Sequence, residues 1–272
     1  MFTYIDPSVR KRLEAQGKLF QIDGDGKRVA PELAATRGPA ISLLGPIPLP
    51  LKLCELEVTV DWYACVRRTE LGKLEEIADE LRAQQGQALF ATLASSMAVN
   101  SVLIVGDPTA WRNPLVRVHS SCLTGDVFGS ERCECGPQLA AALDKIRQDD
   151  EGGMVIYMSG HEGRGIGLWA KAATYLLQDG GEDTYQANRS LGLPDDSRDF
   201  SDAGTLLKYF VKDRPFRLLT NNPKKVSDLE KMGITNITRI KHVTGVTDAN
   251  RRYLNAKKGW GHALTPEDLD TP

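Results

Sequence analysis

The 272-residue chain carries 34 lysines and arginines against 36 aspartates and glutamates, a net charge of −2 at neutral pH. That balance argues against a protein built to coat nucleic acid, while leaving room for a local basic pocket. With 41% hydrophobic and 26% charged residues the composition is globular, which excludes a disordered or fibrous class. No apolar run approaches a membrane span, and the opening MFTYIDPSVRKRLEAQG lacks the apolar stretch of a secretory signal. A cytoplasmic protein without membrane association is expected.

Residues 1–44 are mixed and polar, with turn signals at Asp23-Gly24-Asp25-Gly26 and Gly38-Pro39. They read as an N-terminal extension with little core of its own. Gly45-Pro46-Ile47-Pro48-Leu49-Pro50 forces extended or turn geometry, because each proline fixes its φ and restricts the residue before it. Leu56 to Val66 is β-branched and aromatic, as in a strand or hairpin. Leu74, Ile77, Ala78 and Leu81 fall at helical spacing. Val102 to Val105 is a buried strand closed by Gly106-Asp107-Pro108.

Beyond residue 136, strand and helix alternate. Leu139, Leu143 and Ile146 mark a helix opened by Pro137, followed by a strand over Met154–Met158 and a helix over Leu168–Gln178 stopped at Gly180-Gly181. A helix through Thr205–Phe210, a strand over Phe216–Leu219 and a helix over Val226–Met232 complete the series. The alternation predicts an α/β fold, a three-layer α/β/α domain with a mixed sheet. Residues 265–272 form an acidic tail expected to fray.

The five cysteines are an odd set without an export signal, which disfavours a disulfide framework. Three of them, Cys122, Cys133 and Cys135, form a C-x10-C-x-C cluster. Thiolates suit zinc; Thr124-Gly125-Asp126 would let the chain double back, and Gly136 would relieve crowding. A fourth ligand from His119 would close the site and make it structural, whereas three ligands leave a position for chemistry. Three thiolates give the ion a formal charge of −1, so nearby positive or hydrogen-bonding groups are needed to complete any activation.

Candidates follow. His161-Glu162-Gly163-Arg164-Gly165-Ile166-Gly167 lies between a strand and a helix, where backbone N–H groups and Arg164 suit an anion and Glu162 a guanine-like N–H edge. Asp195-Asp196-Ser197-Arg198-Asp199 is either a surface salt-bridge loop or a carboxylate and guanidinium aimed at a phosphoryl group. Thr220-Asn221-Asn222-Pro223-Lys224-Lys225 leaves a strand with groups that suit polyphosphate or merely a solvated helix start.

Taken in order, RVHSSCLTGD, RCECG, HEGRGIGL, YLLQDGGEDTYQAN, DDSRDF and LLTNNPKKV resemble the GTP cyclohydrolase II family of riboflavin biosynthesis. The resemblance runs from about Gly45 to Leu264 and makes 45–264 a catalytic domain. It implies a zinc-dependent hydrolase that opens the imidazole ring of GTP, with Mg²⁺ on the triphosphate, releasing formate and pyrophosphate. By motif, Cys122, Cys133 and Cys135 would hold zinc, and Tyr175 would lie near the hydrolytic water. Asp196 would be the proton acceptor and Arg198 the nucleophile at the α-phosphate, although an arginine that stays protonated is better suited to stabilising charge there. Arg117, Gln138, Glu162, Arg164, Thr184, Thr220 and Lys225 would contact the nucleotide. The family is homodimeric, and it has glutamate where this chain has Ser121 and glutamine where it has His161. A paralogue opening a different nucleotide or nucleobase ring, and a zinc-stabilised nucleotide-binding module without turnover, stand as alternatives. Tyr175, Asp196 and Arg198 together speak against the module.

Overall fold

The computed structural model describes residues 5–30, 41–53, 56–67 and 98–270. The helical pattern at Leu74–Leu81, the turn at Gly38-Pro39 and Cys54 lie outside the described residues. Nine strands form one sheet in the order β2-β1-β3-β4-β5-β7-β6-β8-β9. The strands are β1 (Leu19–Ile22), β2 (Arg28–Val29), β3 (Ile41–Leu53), β4 (Leu56–Arg67), β5 (Asn100–Val105), β6 (Leu115–Ser120), β7 (Gly153–Met158), β8 (Phe216–Leu219) and β9 (Ile237–Ile240). Pairing is antiparallel from β2 across to β7 and parallel among β7, β6, β8 and β9, so the sheet is mixed as predicted.

The helices are α1 (Pro7–Ala15), α2 (Cys135–Gln148), α3 (Gly167–Asp179), α4 (Thr184–Ser190), α5 (Ser201–Phe210), α6 (Pro223–Lys231), α7 (Arg251–Gly259) and α8 (Pro266–Asp270). Two cores follow from the alternation of side chains along the strands. On one face Val116, Val118, Met154, Ile156 and Leu218 pack with Ala203, Leu206, Leu207 and Phe210 of α5 and Leu229 of α6. On the other, Leu115, Val155 and Leu219 pack with Ala142, Leu143 and Ile146 of α2. Helices cover both faces, giving the three layers.

Two expectations change. The N-terminal segment adds β1 and β2 to the sheet through β1–β3 pairing, and fully buried Ile22 joins the larger core. β3 runs from Ile41 through the proline-rich stretch with a register break between Leu44 and Ile47, so position 45 falls inside a strand. The acidic tail is not frayed through residue 270: α8 docks Leu269 against Leu254 and Leu264 in a third, smaller core.

The chain order explains where a site can form. From β6 the chain passes through α2 to β7 on one side, then crosses back through α5 to β8 on the other side. The connections therefore diverge between β6 and β8, leaving a crevice outside the carboxyl ends of these parallel strands, where ligands of open α/β sheets bind.

Candidate active site

β6 ends at Ser120, and Ser121-Cys122 lead into a five-residue turn, Leu123–Val127, that carries the chain back over the strand end. Asp126 closes this turn. Its carboxylate accepts from the Cys122 backbone N–H (3.0 Å), from Tyr157 Oη (2.9 Å) and from His119 Nε2 (3.1 Å). The doubled-back loop brings Cys122 to Cys133 and Cys135 at the start of α2, and the three sulfurs lie within 4.8 Å of one another. His119 is committed to Asp126 and stacked on Tyr157, and is not among them, so the four-ligand alternative is not supported.

Close packing dictates two glycines here. A Cβ on Gly125 would sit 2.8 Å from Cys133 Sγ and 3.1 Å from Cys122 Sγ, and one on Gly136 would sit 2.3 Å from the Gly125 carbonyl. The sulfurs themselves show what the site lacks by itself. Cys122 is pushed far below an ordinary thiol by hydrogen bonds from the other two, whereas Cys133 is pushed up to about 11 and Cys135 well above the usual value. Three thiolates this close need a cation to ionise together, and the N-terminus of α2 and Lys171 supply only part of that charge. This soft, anionic, tightly cradled donor set fits zinc.

Lys171, on α3, is the residue that the sequence pattern conceals. Its buried Nζ donates to Glu162 Oε1 (2.7 Å), Thr124 Oγ1 (2.9 Å) and Cys122 Sγ (3.1 Å). Burial works against its charge, yet Glu162 and the Cys122 sulfur hold its pKa above the ordinary lysine value. Glu162 also accepts the Leu123 backbone N–H (2.6 Å), so the ion pair locks the metal loop to the loop after β7. Tyr175, one turn further along α3, places its hydroxyl 3.1 Å from Thr124 Oγ1.

The other half of the cleft is cationic. Arg117, buried on β6, donates to the Leu219 carbonyl (2.9 Å) and to Gln138 Oε1 (2.7 Å). Lys225, in the first turn of α6, donates to the Val118 carbonyl (2.5 Å), and burial pushes its pKa well down, with Arg117 and Arg198 adding repulsion. Thr220, fully buried after β8, accepts from the Asn222 N–H (3.1 Å). Arg164 has a left-handed backbone (φ 62°) and stacks its guanidinium on Tyr185 at 4.0 Å. Arg198 makes a two-pronged pair with Asp196 (2.9 and 2.6 Å) and reaches Ser120 Oγ at 3.3 Å. Burial opposes both charges, but the pair prevails: Asp196 is held below the usual carboxylate range and Arg198 above the usual guanidinium value.

All thirteen site residues expected from sequence except Asp196 line one open cleft of about 1110 Å³, and Asp196 adjoins it through Arg198. Thr184 contributes from the first turn of α4, whose Asp183–Gln186 capping box fixes its position. Seven lysines and arginines line the cleft against two glutamates, and Glu162 and Glu134 are each paired, with Lys171 and Lys257 respectively.

Ser121 and His161 line the cleft and also tie its loops together. Ser121 Oγ donates to the Ser159 carbonyl (2.9 Å). His161 bridges Ser120 Oγ (3.1 Å) and the Asp199 carbonyl (2.9 Å), and burial pushes its pKa down to about 4.

Two predictions follow from these contacts. Lys171→Met leaves Glu162 buried without its partner, and unfolding by denaturant should show a loss of about 3 kcal/mol, as for other broken buried pairs. An unchanged midpoint would show that the pair carries no stability. His161 is neutral when folded, so between pH 6.5 and about 4 the unfolded chain binds a proton that the folded chain does not, and stability falls as pH is lowered through that window. In His161→Gln, urea midpoints measured at pH 7 and pH 5 should differ less than in the wild type; an equal difference would contradict the assignment.

Comparison with known proteins agrees with this arrangement. A family model for GTP cyclohydrolase II matches residues 76–241. The riboflavin biosynthesis protein RibBA of Salinispora arenicola is 45% identical over 214 residues, covering 77% of this chain and 50% of that protein. GTP cyclohydrolase-2 of Helicobacter pylori (strain P12) is 49% identical over 163 residues, 60% of this chain and 82% of the relative. The chloroplastic monofunctional riboflavin biosynthesis protein RIBA 3 of Arabidopsis thaliana is 45% identical over 174 residues, 64% of this chain and 34% of the relative. The chain thus spans half the length of the Salinispora protein and most of the Helicobacter one. With the match running through the thiol cluster, the Arg164 loop and the Asp196–Arg198 pair, the chain belongs to the GTP cyclohydrolase II family.

Proposed function

We propose that this protein hydrolytically opens the imidazole ring of GTP, releasing formate and pyrophosphate and leaving a diaminopyrimidine ribosyl phosphate. The observation that carries the reading is the meeting of a three-cysteine cluster and a surplus of fixed positive charge in one cleft. The cluster suits hydrolysis of a carbon centre, and the cationic wall suits a polyphosphate. Cys122, Cys133 and Cys135 would hold zinc, which when bound supplies Lewis acidity at the carbon to be hydrated.

The remaining roles fall to the chain's own side chains. Tyr175 is held by Thr124, and its buried phenol is raised above the usual tyrosine value, so it keeps its proton at neutral pH and can orient or donate it beside the cluster. Lys171 offsets the sulfur charge and keeps Glu162 in place for the base edge. Arg198, kept cationic by Asp196, is suited to stabilise negative charge at the transferring phosphoryl group rather than to attack it. Asp196 is ionised at neutral pH and, held against Arg198, would serve as proton acceptor there. Arg117 with Gln138, Arg164, Thr184, Thr220 and Lys225 would grip the nucleotide, with Mg²⁺ accompanying the triphosphate. We extend the reading to a cytoplasmic homodimer by analogy with the family. Ser121 and His161 also line the cleft, although their side chains are engaged by the Ser159 carbonyl and by Ser120 and the Asp199 carbonyl.

Purified protein given GTP, Mg²⁺ and zinc should release formate and form a pyrimidine chromophore. Intact GTP alongside consumption of another nucleotide would overturn the substrate. Cys133→Ser should lose both bound metal, measured by elemental analysis, and formate release; full activity without metal would remove the cluster from the chemistry. Arg198→Ala should slow turnover roughly 10²–10³-fold, as when a fixed charge stabiliser is removed, with metal content unchanged. A wild-type rate would dismiss Arg198.

A further inference from the structure

The matched family region ends at residue 241, yet the cleft does not. Tyr253 and Lys257 of α7 and His262 in the turn after it line the same cleft as the cysteines and Arg164. This part of the chain is held against the site from three directions. The Ala263 N–H donates to the Asn221 carbonyl after β8 (2.9 Å). Lys257 pairs with Glu134, which stands between Cys133 and Cys135, at 2.5 Å. Trp260 stacks on Tyr185 with ring centres 4.2 Å apart and planes 20° from parallel. Such anchoring makes a fixed wall.

The polar atoms inside that wall are poorly satisfied by the protein itself. His262 Nδ1, both Nη atoms of Arg164 and Glu134 Oε2 are buried without a hydrogen-bond partner among the described residues. Buried polar groups are rarely left so, because each forfeits its hydration and receives nothing in return. Here the orphaned atoms come from separate segments and border one cleft. The Arg164 guanidinium is flanked by Tyr185 at 4.0 Å and by Tyr253 at 5.8 Å, so a residue beyond the family match helps to aim an arginine within it. The left-handed backbone at Arg164 is a strain that this aim explains.

We infer that the segment Tyr253–Leu264 is the outer wall of the nucleotide site, with His262 contacting the bound nucleotide and Tyr253 positioning Arg164 against it. The ligand class is a purine nucleoside triphosphate: flat and aromatic enough to lie among the tyrosines, anionic enough to engage Arg164. The inference rests on the proposed GTP reading and assigns the wall to substrate affinity, apart from the metal cluster.

The test is kinetic and structural. In the full chain loaded with metal, His262→Ala and Tyr253→Leu should each raise KM for GTP about five- to twentyfold. Both should leave kcat within about twofold and metal content unchanged. A segment that only props up the fold would lower kcat and thermal stability together, with KM unmoved, and that result overturns the inference. Hydrogen exchange on the wild-type protein provides a measurement that does not depend on a variant folding. Amides of 251–264 should slow at least threefold with GTP in saturating excess, and unchanged exchange overturns the inference. If the wild type turns over GTP and KM stays within twofold in both variants, the wall assignment fails while the ring-opening reading stands. If the wild type neither consumes GTP nor shows protection with it, both fail.

Discussion

Three sulfur atoms held within 4.8 Å of one another impose the organising constraint on this molecule. Ionising them together in a protein interior is unfavourable without a compensating positive charge, and bringing them together at all requires backbone with almost no side-chain bulk. The second demand is met by local sequence and the first only in part. Gly125 and Gly136 let two turns approach to contact distance, and Asp126 ties the turn to β6 and β7. Lys171 then couples the same turn to the loop after β7. The site is therefore an extension of the strand ends, and its geometry is as firm as the core beneath it.

Charge organises the rest of the cleft by the same logic. The chain as a whole is slightly acidic, yet seven lysines and arginines line the cleft where the parallel strands end and the crossovers diverge. The carboxylates in and beside it each have a cationic neighbour, Lys171 for Glu162, Lys257 for one oxygen of Glu134 and Arg198 for Asp196. What faces outward is a net positive field with hydrogen-bond donors fixed in place, which is what a polyanion requires before any chemistry begins.

Much of this was legible in the sequence. The C-x10-C-x-C spacing announced the cluster, and the runs Met154–Met158 and Phe216–Leu219 mark strands found at β7 and β8. The unbroken apolar run of the first is the signature of a strand covered on both faces. Lys171 was hidden because a lysine within an amphipathic helix reads as solvent-facing, and only tertiary packing turns it toward Cys122. Residues 19–22 looked too polar in context to join a core, yet strand pairing recruited Ile22 to it. Lys257 and His262 carried no local signal at all, since their role arises from α7 folding back over strand ends far away in sequence. Helices α4 and α7 were likewise missed: one is a short capped turn and the other is mostly polar.

The sheet divides its labour unevenly. Among the described residues, every group lining the principal cleft comes from β6 onward, while β1 to β5 stand behind it, adding backbone pairing, apolar support and a few polar ties such as Asn100 to the Ser159 N–H and Arg67 to Asp202. The groups that would meet a ligand are thus gathered in one half of the sheet, and the other half acts on them at one remove. A substitution in the antiparallel strands would reach the cleft only through the common interior or through the Asn100 and Arg67 ties, and so would register first as a change in stability.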